Sequence, residues 1–104
     1  MQITAEGTTL FLQGDFDVRS TSEVREAVNE ALASCGEGDQ VVVDLSGVDA
    51  VDVTALRLLA AASRRATRRG AHVRVRGCGP SVLRMLHISR LVRLLDVDRA
   101  QVAA

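Results

Sequence analysis

Three consecutive residues, Asp52, Val53 and Thr54, place a carboxylate and a hydroxyl at the start of a predicted helix. An aspartate directly before a helix caps it, because the carboxylate accepts hydrogen bonds from free amides of the first turn. A threonine in that turn can bond locally, or it can accept a phosphate that adds about −1.5 to −2 charge at neutral pH. The pattern therefore indicates either a simple helix cap or a modification site at the helix mouth.

Leu58 follows Thr54 by about one turn of this helix. A projection at about 100° per residue predicts that one side of the helix faces the sheet and the other faces solvent. If Leu58 is exposed beside Thr54, its burial against a partner could contribute about 1.5–3 kcal/mol. The residues predicted to face the sheet are Leu56, Leu59, Ala60, Ser63 and Thr67, and those predicted to point away are Thr54, Leu58, Ala61, Arg65 and Arg69.

The histidines and cysteines do not form a recognisable catalytic or metal-binding pattern. His72 and His87 have no nucleophile at a fixed spacing, so each is interpreted as a surface or packed histidine. Cys35 and Cys78 form neither a CxxC pair nor a zinc-ligand cluster, and both are interpreted as small buried thiols. We therefore predict no catalytic residues and no enzymatic activity.

Two loops offer weaker signals for a ligand. The Gly77–Pro80 loop could hold a phosphate at a helix mouth, but it lacks the full P-loop pattern and its lysine. Asp15 and Asp17 could suggest a metal, yet two carboxylates in one loop are a poor ligand set. We predict neither a cofactor nor a metal.

Composition restricts the remaining classes. The chain has 104 residues, of which 47% are hydrophobic and 2% aromatic, so we predict one folded domain over residues 1–104. The scarcity of aromatics argues against base-stacking nucleic-acid binding. No apolar run approaches the roughly 20 residues needed to span a bilayer, and no secretory leader is recognisable. We therefore expect a cytoplasmic protein.

Charge is divided between the two halves of the chain. Residues 1–52 contain eleven acids and two arginines, whereas residues 53–104 contain eleven arginines and two acids. Two oppositely charged surfaces can simply keep the protein soluble, or they can steer a protein partner. The acidic half would repel phosphates, which argues against direct nucleic-acid binding.

The periodicities predict the order β-β-α-β-α-β-α, which is a small α/β domain with right-handed crossovers. Gly7 suggests a hairpin between the first two strands, and Ser20–Glu23 fits a capping box before the first helix. The continuous apolar run 41–45 is typical of a central strand covered on both faces, and Ser46-Gly47 is interpreted as the turn after it. The predicted strands are 2–6, 8–13, 41–45 and 71–76, and the predicted helical segments are 20–35, 53–69, 81–88 and 90–95, with a frayed end at 100–104.

Three stretches resemble STAS domains, specifically the bacterial anti-sigma-factor antagonists. They are LQGDFDVRS (12–20), VVVDLSGVDAVDVTALRLL (41–59) and RGAHVRVRGCGPSVLRMLHISRLVRLL (69–95), and the second is the most specific. The resemblance spans nearly the whole chain. It implies a STAS-like fold: a mixed sheet of four to five strands with helices mainly on one face.

The resemblance also implies a partner switch. In that family the unmodified domain binds an anti-sigma factor that is also a serine kinase. Phosphorylation at the helix mouth breaks the complex, and a phosphatase restores it. On this sequence the implied partner-binding residues are Asp15, Asp17, Asp52, Val53, Thr54, Arg57 and Leu58.

This sequence departs from the family pattern at the modification site. The family usually reads Asp-Ser-Ser/Thr-Gly there and modifies the first hydroxyl, whereas this chain reads Asp52-Val53-Thr54-Ala55. Thr54 is then the phosphorylation candidate, one residue further along the helix. The alternatives are a STAS scaffold that is not phosphorylated and works in a sensory complex, and a small nucleotide- or phosphate-binding domain.

Overall fold

The sheet has five strands in the spatial order β1-β2-β3-β4-β5, and the computed structural model describes residues 1–98. β1 is antiparallel to β2, and the remaining neighbours are parallel. This arrangement confirms the predicted mixed α/β fold. The strands are β1 Gln2–Glu6, β2 Thr9–Phe16, β3 Gln40–Val51, β4 His72–Arg76 and β5 Asp96–Val97, the helices are α1 Thr21–Ala33, α2 Val53–Arg68 and α3 Pro80–Ile88, and two 3₁₀ turns cover Val18–Ser20 and Leu91–Arg93.

Alternation along the strands separates an apolar face from a polar one. Leu10, Val43 and Val75 lie in register on the apolar face, where they join buried residues of all three helices in one core cluster. On the opposite face, Asp44 lies between Phe11 and Arg76. The first half of β3 is buried at every position from Val41 to Leu45, as predicted for a central strand.

Both β2 and β3 are longer than the sequence predicts. β2 continues through Gly14 and Asp15 to Phe16, and β3 continues through Ser46-Gly47 to Val51, so the predicted turn at Ser46-Gly47 is wrong. The register between the strands shifts twice here, which accommodates the irregular residues. Gly47 serves a close approach instead of a turn, because a Cβ there would lie 2.8 Å from Gln13 Cγ.

The capping box forms one short turn earlier than predicted. Asp17 caps the first 3₁₀ turn, and Ser20 is its third residue, with its hydroxyl accepting from the Asp17 amide. Ser20 also precedes α1 but makes no side-chain capping bond to it. The Ser20 oxygen instead accepts from the Asp17 amide, and its proton points toward the carbonyl oxygens of Asp15 and Asp17.

Leu58 is buried, with 8% of its surface exposed, so the prediction of an outward leucine is wrong. The projection assumed that only the sheet covers α2, but α1 packs against α2 as well. Arg65, two turns after Leu58 on the same side of α2, donates to Asn29 Oδ1 of α1 at 2.9 Å. Leu58 therefore belongs to the core, while Thr67, predicted to face the sheet, is exposed.

Asp44 anchors the polar face of the sheet. Its carboxylate accepts from the amide and hydroxyl of Ser46 and from Arg76 Nε at 2.8 Å. Burial raises the pKa of Asp44, but the hydrogen bonds from Ser46 and Arg76 outweigh it and hold the pKa below its ordinary value. The guanidinium of Arg76 also lies over the Phe11 ring, 5.6 Å from its centroid.

The chain after α3 folds differently from its predicted helical segment. Only Leu91–Arg93 forms a 3₁₀ turn, and Asp96–Val97 then adds β5 beside β4. His72 Nε2 lies 2.5 Å from Asp96 Oδ2 across these two strands, which gives this histidine a structural partner. The predicted frayed end at 100–104 lies outside the described residues.

Candidate partner-binding site

Asp52 joins two separate segments at the N-terminus of α2. One carboxylate oxygen accepts from the Ala55 amide at 2.8 Å, which is the predicted N-cap bond. The other oxygen accepts from the Val18 amide at 3.1 Å, 34 residues earlier in the chain. In addition, the Asp52 amide donates to the Phe16 carbonyl at 3.3 Å. A single side chain thus fixes the 3₁₀ turn against the first turn of α2.

Residues from these two segments form one exposed surface, which we call the α2 mouth and define as 15–19 and 52–57. Among the predicted site residues, Thr54 and Arg57 are exposed there. Within residues 1–98, the Thr54 hydroxyl makes no hydrogen bond. Val53 is half-buried and packs against the core. Leu58 does not belong to this surface.

The acidic predictions fall on the other side of the α2 mouth. Asp15 is exposed near the end of β2, directly opposite Ala50 of β3. Asp17 pairs with Arg19, whose Nη2 lies 2.7 Å from Asp17 Oδ2. Hydrogen bonds from the Arg19 side chain and amide hold the pKa of Asp17 below its ordinary value. These residues line an open depression of about 340 Å³ together with Met1, Ser20 and Glu23.

Sequence reasoning missed Val18, which is 60% exposed on this surface and whose amide donates to Asp52. The signal was present in the sequence, because Val18 stands between the charged residues Asp17 and Arg19 in a segment without apolar periodicity. An exposed apolar side chain at the α2 mouth therefore belongs to Val18 of the 3₁₀ turn, whereas Leu58 of α2 is buried.

The other candidate ligand sites have little chemical support. The Gly77–Pro80 loop leads into α3, but the Asp44 carboxylate lies so close to Gly77 that an added Cβ would be 3.0 Å from Oδ1. Burial and this nearby charge raise the pKa of the Cys78 thiol to about 11. The negative charge of Asp44 would repel a phosphate bound at this loop. Across residues 1–98, no group of three or more potential ligand side chains could hold a metal ion.

Sequence comparison identifies the family of the chain. The family model STAS_2, described as "Mlab, STAS domain", matches residues 1–96. The chain therefore belongs to the STAS domain family, as its sequence motifs indicated. No curated protein sequence matches it.

Solved structures of anti-sigma-factor antagonists share the fold. An anti-sigma factor antagonist from Mycobacterium paratuberculosis is 19% identical with a TM-score of 0.75, over 92% of this chain and 81% of that one. An anti-sigma-factor antagonist (STAS) domain protein from Planctomyces limnophilus is 13% identical with a TM-score of 0.72, over 92% and 86%.

The anti-sigma factor antagonist SpoIIAA in its unphosphorylated form is also similar. It is 13% identical with a TM-score of 0.72, over 98% of this chain and 90% of that one. At these identities the likeness shows a common fold. Among the helices of residues 1–98, none has the length and apolar character needed to cross a bilayer.

Proposed function

We propose that this chain is an anti-sigma-factor antagonist-like module that binds an anti-sigma factor with serine kinase activity through the α2 mouth. The observation that carries the proposal is the pair of hydrogen bonds from the Val18 and Ala55 amides to the Asp52 carboxylate, which we call the Asp52 clasp. It holds the exposed Val18 and Thr54 in one ordered surface. A preorganised surface reduces the entropy lost on association. The fold shared with anti-sigma factor antagonists supports the choice of partner.

The proposed control is phosphorylation of Thr54. Its hydroxyl is exposed on the first turn of α2, where a helix dipole favours negative charge within the domain. For a docked partner, the same phosphate adds about −1.5 to −2 charge to a surface that already contains Asp15 and Asp52. Modification would therefore weaken the complex, and a phosphatase would restore it. The proposal places this cycle in a bacterial cytoplasm, with the chain acting as a single STAS domain and not as an enzyme.

Binding is tested with Val18→Asp against a purified kinase-type anti-sigma factor. We expect at least a tenfold loss of affinity, because the complex would bury a charge where the exposed Val18 would otherwise make an apolar contact. Ile88→Asp is the matched control, since Ile88 is 71% exposed on α3 and lies outside the mouth. If Val18→Asp and Ile88→Asp bind equally well, the α2 mouth is not the docking surface.

Phosphorylation is tested by incubating the chain with the same kinase and ATP and measuring intact mass. We expect one added phosphate on the wild type and none on Thr54→Ala. Thr67→Ala is the control, because Thr67 is also exposed on α2 but its hydroxyl donates to the Ser63 carbonyl at 3.0 Å. A phosphate that persists on Thr54→Ala would exclude Thr54 as the acceptor.

A second candidate function is a STAS scaffold that binds its partner without phosphorylation. Val53 favours it, because this half-buried residue packs against the core where the family places its acceptor hydroxyl. The two candidates differ in one measurement. Wild-type chain that binds the kinase but gains no phosphate would support the scaffold.

A further inference from the structure

A basic trough lies beside the C-terminal half of α2, away from the α2 mouth. It has a volume of about 330 Å³ and runs between α2 and the second 3₁₀ turn. Leu94 at its edge is 52% exposed and adds a small apolar area to this basic surface. The trough is lined by Ala60, Ser63, Arg64, Thr67, Arg68, Arg93 and Leu94.

The arginines of this trough have no acidic partner among residues 1–98. Within residues 1–98, the cationic members of the ion pairs are Arg19, His72, Arg74 and Arg76, none of which lines the trough. No acid exists anywhere in α2 to balance them. Three cations around an exposed leucine therefore favour an acidic protein surface with a small apolar component.

The chain itself provides such a surface on α1. Glu26 and Glu30, one turn apart, line an open depression of about 440 Å³ together with Asn29 and Ala33. Both glutamates are exposed, and neither forms an ion pair within residues 1–98. We call this surface the acidic row (Glu26, Asn29, Glu30 and Ala33).

The trough and the acidic row flank α2 on opposite sides. The bond between Arg65 and Asn29 marks the side on which α1 packs, whereas Arg93 and Leu94 mark the other side. A two-fold axis that crosses the exposed side of α2 would place the trough of each copy over the acidic row of the other.

We propose that two copies of this chain form a symmetric dimer in which the acidic row of each docks in the basic trough of the other. The two-fold symmetry limits the assembly to two copies, because both charged surfaces of each copy are then occupied. A nucleic acid would occupy the trough alone, whereas a second copy pairs both charged surfaces, which favours the second copy as the occupant. The proposal uses a surface distinct from the α2 mouth and does not depend on the proposed function.

The first test is sedimentation velocity on the purified wild-type chain between about 10 and about 500 µM, the range expected for a weak complex. We expect a dimer that forms with rising concentration and dissociates as salt is raised from about 0.05 to about 0.5 M, because exposed charges are screened. A wild type that stays monomeric throughout would overturn the proposal. This holds even if a different acidic protein binds in the trough.

The second test uses two complementary charge reversals. Arg64→Glu with Arg68→Glu makes the trough acidic, and Glu26→Arg with Glu30→Arg makes the row basic. Each double variant alone should dimerise at least tenfold more weakly, because like charges then face each other. An equimolar mixture should associate again, since opposite charges face each other at both contacts of the mixed dimer.

A charge-retaining variant provides the control. Arg64→Lys with Arg68→Lys should dimerise within about threefold of wild type, because the contacts at this solvent-exposed surface are mainly electrostatic. Circular dichroism melts establish that every variant is folded. Folded variants that dimerise like wild type, or a mixture that stays monomeric, would refute this interface.

Discussion

Strand β3 and helix α2 contain a packed part and an exposed join, and an aspartate lies in each: Asp44 in the packed part and Asp52 in the join. In the packed part, Asp44 binds Ser46 and Arg76, and Leu58 belongs to the hydrophobic core. In the exposed join, Asp52 caps α2, and Thr54 faces solvent one turn before Leu58. The comparison shows that neighbouring elements decide the role of an acid or a helix position, and helical phase alone does not.

Strand pairing explains where the two regions divide. Residues 42–44 of β3 pair with β2 on one side and β4 on the other. From Gly47 to Val51, the ladder continues with β2 alone. A strand with one free edge has fewer constraints, and such regions often carry binding surfaces. We therefore expect substitutions in the packed part to change stability and those in the join to change recognition.

The largest effect is expected at Leu58. Leu58→Ala should lower the free energy of unfolding by about 2–5 kcal/mol, and Leu58→Asp should leave much of the chain unfolded, because it buries a charge. Urea denaturation followed by circular dichroism measures both. Leu94→Ala should change it by less than about 0.5 kcal/mol, because Leu94 is exposed. A folded Leu58→Asp variant of normal stability would contradict the buried position.

Asp44→Asn should have the next largest effect, about 1–3 kcal/mol at pH 7, because Arg76 and Ser46 lose a charged acceptor. The folded-state pKa of Asp44 lies below its value in the unfolded chain, about 3.9. Its stabilising effect is therefore complete above about pH 4 and is lost as pH falls through the lower folded pKa. Urea titrations should show wild type and variant converging below about pH 4. The exposed Asp49→Asn is the control and should change the free energy of unfolding by less than about 0.5 kcal/mol at pH 7.

Asp52→Ala should cost about 1–2 kcal/mol, since it removes the N-cap of α2. Hydrogen exchange distinguishes a simple cap from the clasp. Loss of the clasp should speed exchange at the amides of both Ala55 and Val18, whereas loss of a cap alone would affect only Ala55. Unchanged protection at Val18 would show that the 3₁₀ turn is held by other contacts.

Thr54→Glu is expected to have the smallest effect on stability, within about 0.5 kcal/mol, because Thr54 is exposed at a helix end that tolerates negative charge. The same variant should weaken binding to a kinase-type anti-sigma factor at least tenfold under the proposed function. Calorimetry measures both quantities on one preparation. A strong loss of stability would place Thr54 in the packed part.

The sequence predicted the fold well because its periodicities are regular and local. The apolar positions of α1 and the β-branched run 41–45 define their elements without reference to distant residues. Asp52 was predicted as the cap of α2 for the same reason. The element boundaries failed where tertiary contacts decide, as at Gly47, which remains inside β3 because Gln13 lies against it.

The candidate site was only partly predictable. Thr54 and Arg57 are exposed as expected, but the position of Leu58 depends on α1, which the projection of an isolated helix does not include. Val18 was missed because its exposure results from a 3₁₀ turn that is too short to have a periodicity. Local sequence therefore predicts which residues begin α2, but not which surfaces cover it.

The two-sided use of the Asp52 carboxylate limits what can replace it. Asparagine has one acceptor oxygen, and its amide group would turn hydrogens toward either the Val18 or the Ala55 amide. Serine is an adequate cap for an ordinary helix, but its short side chain carries a single oxygen to share between both segments. Interchange among the common capping residues, which most helices tolerate, should therefore release one of the two segments at this position.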